Sequence, residues 1–212
     1  TLLDFFRHST KKNLAVVAPT GVAAVNIRGE TIHSFFQIPH GVTPEQARSE
    51  AKRTKRGKIF SALQTLVIDE ISMVRADLLD SISVFLQTVR KNKQPFGGVQ
   101  VIMVGDLHQL PPVVTKQEQE AIDSLYQSPY FFSANVFHSL TDGLYPQIKF
   151  FELETIYRQT DLNFIGILNR LRNNALTPED INILNSRLNQ ESQWLDDHIY
   201  LTAINEQADR IN

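Results

Sequence analysis

The stretch Leu66-Val67-Ile68-Asp69-Glu70-Ile71-Ser72-Met73 is an apolar run interrupted by two adjacent carboxylates. Because an unpaired charge buried within a sheet is costly, we expect Asp69 and Glu70 where a buried strand ends, at the carboxyl edge of the sheet. Open α/β sheets bind their ligands at that edge. The pattern therefore predicts an α/β fold with a site at the strand end. One alternative stays open, in which the acidic pair caps the positive end of the next helix.

Two further apolar runs have the form of buried strands. Residues 14–18 are apolar until Pro19-Thr20-Gly21, which precedes a helix of small residues, and residues 99–104 form a similar run before a polar loop. Continuous apolar strands are typical of parallel sheets that are covered on both faces. Apolar residues at helical spacing over 78–89 predict a core-facing helix that ends in Arg90-Lys91-Asn92-Lys93. We therefore predict a mostly parallel sheet flanked by helices.

Weaker patterns predict the remaining elements. They are an amphipathic helix at residues 1–7, a helix from Glu45, strands at 148–153 and 198–202, and helices at 161–173 and 178–189. Thr177 followed by Pro178 is typical of a helix N-terminus, with the threonine as the N-cap.

The composition limits the class of protein. The chain has 212 residues, enough for one α/β domain and the start of a second, and it lacks cysteine, which excludes disulfides and thiolate zinc sites. A formal net charge of -2 argues against a uniformly basic surface and leaves room for a local basic groove. No apolar run reaches the roughly 18 to 20 residues of a membrane span. We expect the cytoplasm of a bacterium or phage host, or the nucleus or mitochondria of a eukaryote.

Six segments combine into one pattern. They are Ala18-Pro19-Thr20-Gly21-Val22-Ala23-Ala24, Thr31-Ile32-His33-Ser34-Phe35-Phe36, Ile68-Asp69-Glu70-Ile71-Ser72-Met73, Pro95-Phe96-Gly97-Gly98, Gly105-Asp106-Leu107-His108-Gln109-Leu110-Pro111-Pro112 and Leu153-Glu154-Thr155-Ile156-Tyr157-Arg158-Gln159. In this order and spacing they resemble the Pif-type DNA helicases of superfamily 1B, relatives of the RecD and Dda helicases. The resemblance implies a RecA-like P-loop NTPase domain.

The resemblance also implies a site for ATP and Mg²⁺. Asp69 resembles the Walker B acid on the metal side, and Glu70 the general base that polarises the attacking water. Gln109 resembles the motif III glutamine that senses the γ-phosphate, with an ordinary loop amide as the alternative. Arg158 resembles the arginine that reaches the γ-phosphate, with a helical salt bridge to Glu154 as the alternative.

For DNA, the resemblance implies a single-strand track formed by Pro19, Thr20, Gly21, His33 and Phe35. Hydroxyl and backbone N–H groups suit phosphates, while proline and aromatic faces suit stacked bases. One of Phe35 and Phe36 is expected to face a base and the other to belong to the core. His33 is equally consistent with a hydrogen-bonded core residue.

The basic run at residues 52–58 has two interpretations. Such runs are usually solvated loops. Residues 37–64, however, occupy the position of a small inserted wedge subdomain in the family that the chain resembles, which makes Lys55 and Arg56 candidate contacts for phosphates at a DNA fork.

One motif of that family is missing, because the chain contains no G-x-x-x-x-G-K-[ST] segment. We expect the chain to begin at or just after the phosphate loop, without the preceding strand and without the second RecA-like domain. The predicted domains are the first RecA-like domain at 1–36 and 65–197, the wedge at 37–64 and the start of the second domain at 198–212.

The resulting hypothesis is an ATP-dependent 5′-to-3′ DNA helicase that translocates on single-stranded DNA and unwinds forks as a monomeric motor. The resemblance suggests roles in DNA repair, recombination and telomere maintenance. This chain alone is expected to be inactive. Two alternatives stay open, an ATP-independent single-stranded-DNA-binding module and a P-loop ATPase that is not a helicase.

Overall fold

The computed structural model describes residues 4–5, 12–141, 148–188, 200–202 and 204–211. The chain divides into two compact units, Thr1–Glu152 and Leu153–Asn212. Most of the helix predicted at residues 1–7 lies outside the described residues, as do residues 198 and 199 of the last predicted strand.

The first unit is organised around a parallel sheet. Its strands are β1 (Leu14–Ala18), β2 (Glu30–Thr31), β3 (Thr65–Ile68) and β4 (Gln100–Met103), in the order β2-β1-β3-β4. All three pairings are parallel, and the register places Ile68 beside Val17 and Met103. The buried side chains of β1 and β3 confirm the interpretation of their apolar runs as covered parallel strands. The expectation of a buried strand at residues 99–104 is only partly right, because β4 pairs in parallel with β3 but its side chains are exposed or half-buried.

Helices flank the sheet in the first unit, and further helices lie in the second unit. In the first unit they are α1 (Gly21–Asn26), α2 (Ile32–Phe36), α3 (Pro44–Arg53), α4 (Gly57–Ala62), α5 (Ala76–Arg90), α6 (Lys116–Leu125) and α7 (Asn135–Thr141). In the second unit they are α8 (Leu162–Arg172), α9 (Pro178–Asn185) and α10 (Asn205–Ile211). Short 3₁₀ turns lie at Ile71–Met73, Pro95–Gly98 and Phe131–Ser133. The predicted α/β fold is therefore confirmed.

The core of the first unit contains a cluster of phenylalanine rings. Phe60 of α4 stacks on Phe36 at a centroid distance of 5.5 Å and meets Phe85 of α5 edge to face at 4.9 Å. Ile38 and Val42 belong to the same core, so part of the segment 37–64 packs with the sheet and α5. The proposed domain boundaries at residues 36, 64 and 197 stay predictions.

In the second unit, a salt bridge joins two helices. Arg170 of α8 donates two hydrogen bonds to the carboxylate of Asp180, at 2.6 and 2.5 Å. These bonds, followed by the backbone N–H of Thr177, hold the pKa of Asp180 well below its usual range. The threonine also forms the predicted N-cap, with Pro178 at the start of α9.

The strand predicted at residues 148–153 is wrong. These residues have no regular structure, and the side chains of Phe150, Phe151 and Leu153 are exposed. An apolar run forms a strand only where a neighbouring strand supplies hydrogen bonds and a packed face covers it. Residues 200–202 of the other predicted strand are likewise not in a strand. Among the described residues, no helix is both long and apolar enough to cross a membrane.

Candidate functional site

The acidic pair lies at the carboxyl edge of the sheet, as predicted. Asp69 and Glu70 follow β3 directly and are half-buried. The N–H of Asp69 donates to Val17 O and that of Ile71 to Val104 O, both at 2.9 Å, so both neighbouring strands hold the turn. Glu70 has a left-handed backbone, with φ of 51° and ψ of 46°. Such a conformation is costly for a residue other than glycine and is often found at functional sites.

The helix-cap alternative for the acidic pair has no support. Glu70 precedes the Ile71–Met73 turn, and its side chain forms no capping hydrogen bond. Within the described ranges, neither Asp69 nor Glu70 uses its carboxylate in a hydrogen bond or an ion pair. Two half-buried acceptors are therefore available for a ligand at this edge.

Gly105 brings the loop after β4 against the acidic turn. A Cβ at this position would lie 2.9 Å from both the backbone N and the Cγ2 of Ile71, and 3.3 Å from the N of Ser72. Only a residue without a side chain allows this approach. The turn that carries Glu70 and the loop that leads to Gln109 are thus packed backbone to backbone.

Asp106 shapes the loop that presents Gln109. Its carboxylate accepts from the N–H of His108 at 3.0 Å and from Nε2 of Gln109 at 3.4 Å, while its carbonyl oxygen accepts from the N–H of Gln109 at 3.0 Å. Gln109 is exposed. This geometry is compatible with a phosphate-sensing amide and with the ordinary loop amide that was the alternative.

The turn at Pro19-Thr20-Gly21 lies at the same edge, directly after β1. Thr20 caps α1, because its Oγ1 accepts from the N–H of Ala23 at 3.3 Å. A hydroxyl that accepts in this way still has a proton to donate, for instance to a phosphate. Gly21 is exposed, and a Cβ there would meet nothing within 4 Å.

His33 is half-buried on α2 and pairs with His40, with a ring centroid distance of 3.9 Å. Burial, followed by the charge of His40, lowers the pKa of His33, which favours the neutral imidazole near neutral pH. Over the described part of the chain its imidazole makes no hydrogen bond, so the hydrogen-bonded core histidine has no support.

The expectation that one of Phe35 and Phe36 lies outside the core is wrong. Phe35 is 7% exposed and Phe36 is fully buried. Both rings contact Phe60, and Phe36 also contacts Phe85, because α4 and α5 both pack on α2. A base cannot stack on a ring that is enclosed in this way. We therefore remove Phe35 from the candidate DNA contacts.

The two basic candidates differ in their surroundings. Lys55 is exposed, whereas the guanidinium of Arg56 donates to the carbonyl oxygen of Phe35 at 3.2 Å and pairs with Glu30 at 3.3 Å. Arg56 therefore already stabilises the fold. Because Glu30 partly neutralises its charge, Arg56 would attract a phosphate less strongly than Lys55.

Arg158 belongs to the second unit. It is exposed, residues 154–158 are not helical, and no ion pair joins it to Glu154 in the described structure. The salt-bridge alternative therefore has no support.

Ser72 is a residue of the site that the sequence alone did not reveal. This residue is 1% exposed, and its Oγ has no hydrogen-bond partner in the described structure. A buried hydroxyl normally has a partner. The sequence feature that could have indicated Ser72 is a small hydroxyl residue close to an acidic pair in an otherwise apolar stretch.

The carboxylates suit a magnesium ion that arrives with a nucleotide. No group of three or more His, Cys, Asp or Glu side chains that could hold a metal was found among the described residues. Mg²⁺ at nucleotide sites keeps several waters and uses one or two carboxylates together with substrate phosphates. Asp69 and Glu70, whose carboxylates have no partner in the part of the chain that the structure describes, fit that donor set.

Comparison with known proteins identifies the family. Residues 1–180 match the PIF1-like helicase family. An ATP-dependent DNA helicase PIF1 of Emericella nidulans is 35% identical over 182 residues, a match that covers 85% of this chain and 23% of that protein.

Solved structures agree in fold. A structure of two coordinating Pif1 helicases at forked double-stranded DNA has a TM-score of 0.86 at 38% identity, covering 99% of this chain and 49% of that one. The Bacteroides Pif1 helicase in complex with ADP-AlF3 and single-stranded DNA has a TM-score of 0.84 at 38% identity, covering 100% and 48%. The chain thus spans about a quarter of the fungal relative and about half of the solved chains. Because the family match extends over residues 1–180, the chain belongs to the PIF1-like helicase family.

Proposed function

We propose that the protein containing this chain is an ATP-dependent DNA helicase that moves 5′-to-3′ along single-stranded DNA and couples ATP hydrolysis to duplex unwinding. The observation that carries the proposal is the acidic pair, whose carboxylates have no partner among the described residues and whose turn packs through Gly105 against the loop of Gln109. Further support comes from the Emericella nidulans relative, which is named as an ATP-dependent DNA helicase.

Each candidate residue has a separate proposed role. Asp69 would hold Mg²⁺ through its water shell, and the ion, when bound, would neutralise charge on the phosphates. Glu70 would accept a proton from the attacking water, and Gln109 would hydrogen-bond to the γ-phosphate. Arg158 would stabilise charge that spreads over the phosphoryl group.

The edge of the sheet is compatible with a further strand. β4 pairs with β3 on one side, and among the described residues no strand pairs with its other side. A free edge of this kind invites pairing with another strand. We propose that the strand before the phosphate loop occupies it in the intact protein, whose first RecA-like domain would contain residues 1–36 and 65–197.

The proposed DNA contacts are the Pro19-Thr20-Gly21 turn, His33 and, at the fork, Lys55 with a smaller contribution from Arg56. Support comes from the Pro19-Thr20-Gly21 turn and His33, which follow the carboxyl ends of β1 and β2, from the exposed charge of Lys55, and from relatives solved with single-stranded and forked DNA. A monomeric motor, roles in repair, recombination and telomere maintenance, and a cytoplasmic, nuclear or mitochondrial location belong to the same proposal.

The test is ATP turnover with and without oligo-dT. A longer protein that adds the phosphate loop and the second RecA-like domain should show strong stimulation by DNA. Glu70→Gln should reduce its turnover by about 10²- to 10⁴-fold, while Glu120→Gln, at an exposed glutamate of α6 outside the site, should not change it.

The 212-residue chain should show no turnover, and DNA-stimulated turnover by it would contradict that expectation. Silence of both proteins, with single-strand binding retained, would favour an ATP-independent binding module. Turnover without DNA stimulation would favour a P-loop ATPase of another kind.

A further inference from the structure

A strongly basic groove lies between α3 and the end of α5. It has a volume of about 330 Å³ and is flanked by Arg48 and Lys52 on one side and by Lys91 and Lys93 on the other. We call these residues the basic groove. Because α5 connects two parallel strands and runs back across the sheet, its end lies at the amino edge, opposite the acidic pair. The groove is therefore separate from the proposed nucleotide site.

Local hydrogen bonds fix the lysine side of the groove. Nε2 of Gln87 donates to the carbonyl oxygens of Lys93 and Gln94, each at 3.2 Å, and Nδ2 of Asn92 donates to Gly97 O at 3.2 Å. Lys91 is the C-cap of α5 and has a left-handed φ of 52°. The turn is thus held in one conformation that exposes both lysines.

The charge of the groove is not neutralised within the described structure. Arg90, in the same basic run, points inward and donates to the carbonyl oxygens of Phe60 and Leu63 at 2.9 Å. The four groove cations, by contrast, form no ion pair there, and no acidic side chain lines the groove. Four uncompensated cations in a chain of net charge -2 concentrate positive potential at one place.

We propose that the basic groove binds the phosphate backbone of duplex DNA, independently of sequence. The inference rests on the proposed helicase function, and it adds a second DNA contact away from the single-strand track. The groove is lined only by cationic and polar side chains. Single-strand sites use aromatic platforms for stacking, which are missing here, whereas lysine and arginine without a base-reading surface suit backbone phosphates.

The test measures the affinity of the 212-residue chain for a short duplex and for oligo-dT, without nucleotide, over a range of salt concentrations. The groove variant combines Arg48→Gln, Lys52→Gln, Lys93→Gln and Lys91→Asn, because asparagine tolerates the left-handed backbone. The charge-matched control combines Lys116→Gln, Lys149→Gln, Arg187→Gln and Arg210→Gln, all at exposed positions outside the groove.

The groove variant should lose about tenfold or more of its duplex affinity, and the slope of log K against log salt should fall by about 3 to 4. Its oligo-dT affinity and the duplex affinity of the control should change less than about twofold. The paired variants Arg48→Gln/Lys52→Gln and Lys91→Asn/Lys93→Gln should each give part of the loss, with thermal unfolding as the check on folding.

Three results would overturn the proposal. The first is that the unmodified chain does not bind the duplex. The second is that the groove variant and the control lose equal affinity. The third is that the groove variant loses affinity for poly-glutamate while its duplex affinity equals that of the unmodified chain. Since the assay contains no ATP, its failure is distinct from failure of the helicase proposal, which the turnover of the longer protein reports.

Discussion

Two acidic regions next to each other in the chain have opposite surroundings. Asp69 and Glu70 are half-buried at the end of β3, and their carboxylates form no hydrogen bond or ion pair with any described residue. Asp80, on the helix that follows, is 5% exposed and accepts several hydrogen bonds. The difference separates a carboxylate that stabilises the fold from a pair that the fold leaves available to a ligand.

The partners of Asp80 show how a buried acid can be stabilising. Its carboxylate accepts from the hydroxyl of Tyr126 at 3.1 Å and from the N–H groups of Asn135 and Val136 at 3.0 and 2.8 Å. Burial, followed by the negative charge of Asp80, raises the pKa of Tyr126 and keeps its hydroxyl a donor. One carboxylate thus joins α5 to the loop before α7 and to the N-terminus of that helix.

The same substitution at the two regions should have very different effects on stability. Asp80→Asn should lower the free energy of unfolding by about 3 kcal/mol, because buried donors lose a charged acceptor. Asp69→Asn should change it by less than about 0.5 kcal/mol, as expected for a carboxylate that has no partner among the described residues. Denaturant unfolding of the 212-residue chain measures both. Equal losses would mean that Asp69 also supports the fold, and the distinction would fail.

The close approach at Gly105 gives the next largest effect. Gly105→Ala places a Cβ 2.9 Å from Ile71 N, so it should cost about 1 to 3 kcal/mol and disturb the turn of Glu70. Gly57→Ala is the matched control, because a Cβ there meets nothing within 4 Å and the residue begins α4. Unfolding of the chain and ATP turnover of the longer protein measure the two consequences. A harmless Gly105→Ala would show that the two loops can separate.

Local signals in the sequence predicted the parallel strands, the cap at Thr177 and the position of the acidic pair, because each depends on a few neighbouring residues. Effects of packing could not be predicted in that way. Phe35 is buried because α4 lies over α2, and residues 148–153 are not a strand although their pattern is apolar. The sequence around Asp80 carries no signal of its structural role, because its partners are far along the chain.

The backbone of Glu70 should reveal a conflict between stability and function. Its left-handed φ of 51° costs energy that glycine avoids, so Glu70→Gly should stabilise the chain by about 0.5 to 1 kcal/mol. Gln37→Gly, at an exposed residue with a φ of 55°, should give a similar gain and is the control. Denaturant midpoints measure both. If Glu70→Gly destabilises the chain while Gln37→Gly does not, the carboxylate of Glu70 has a structural role.

The smallest effect concerns Glu118, which has partners like Asp80 but is one-third exposed, with 34% of its side chain accessible. Hydrogen bonds from Thr115, followed by those from Arg75, lower the pKa of Glu118 from 4.5 to about 2. Because the pKa in the folded state is depressed, the contribution of Glu118 is present above 4.5 and disappears as the pH falls toward 2. Glu118→Gln should therefore lower stability near neutral pH by at most about 1 kcal/mol, since solvent screens the pair. The difference from the unmodified chain in urea unfolding should shrink between about pH 5 and about pH 3, and a constant difference would assign the effect of Glu118 to packing instead of charge.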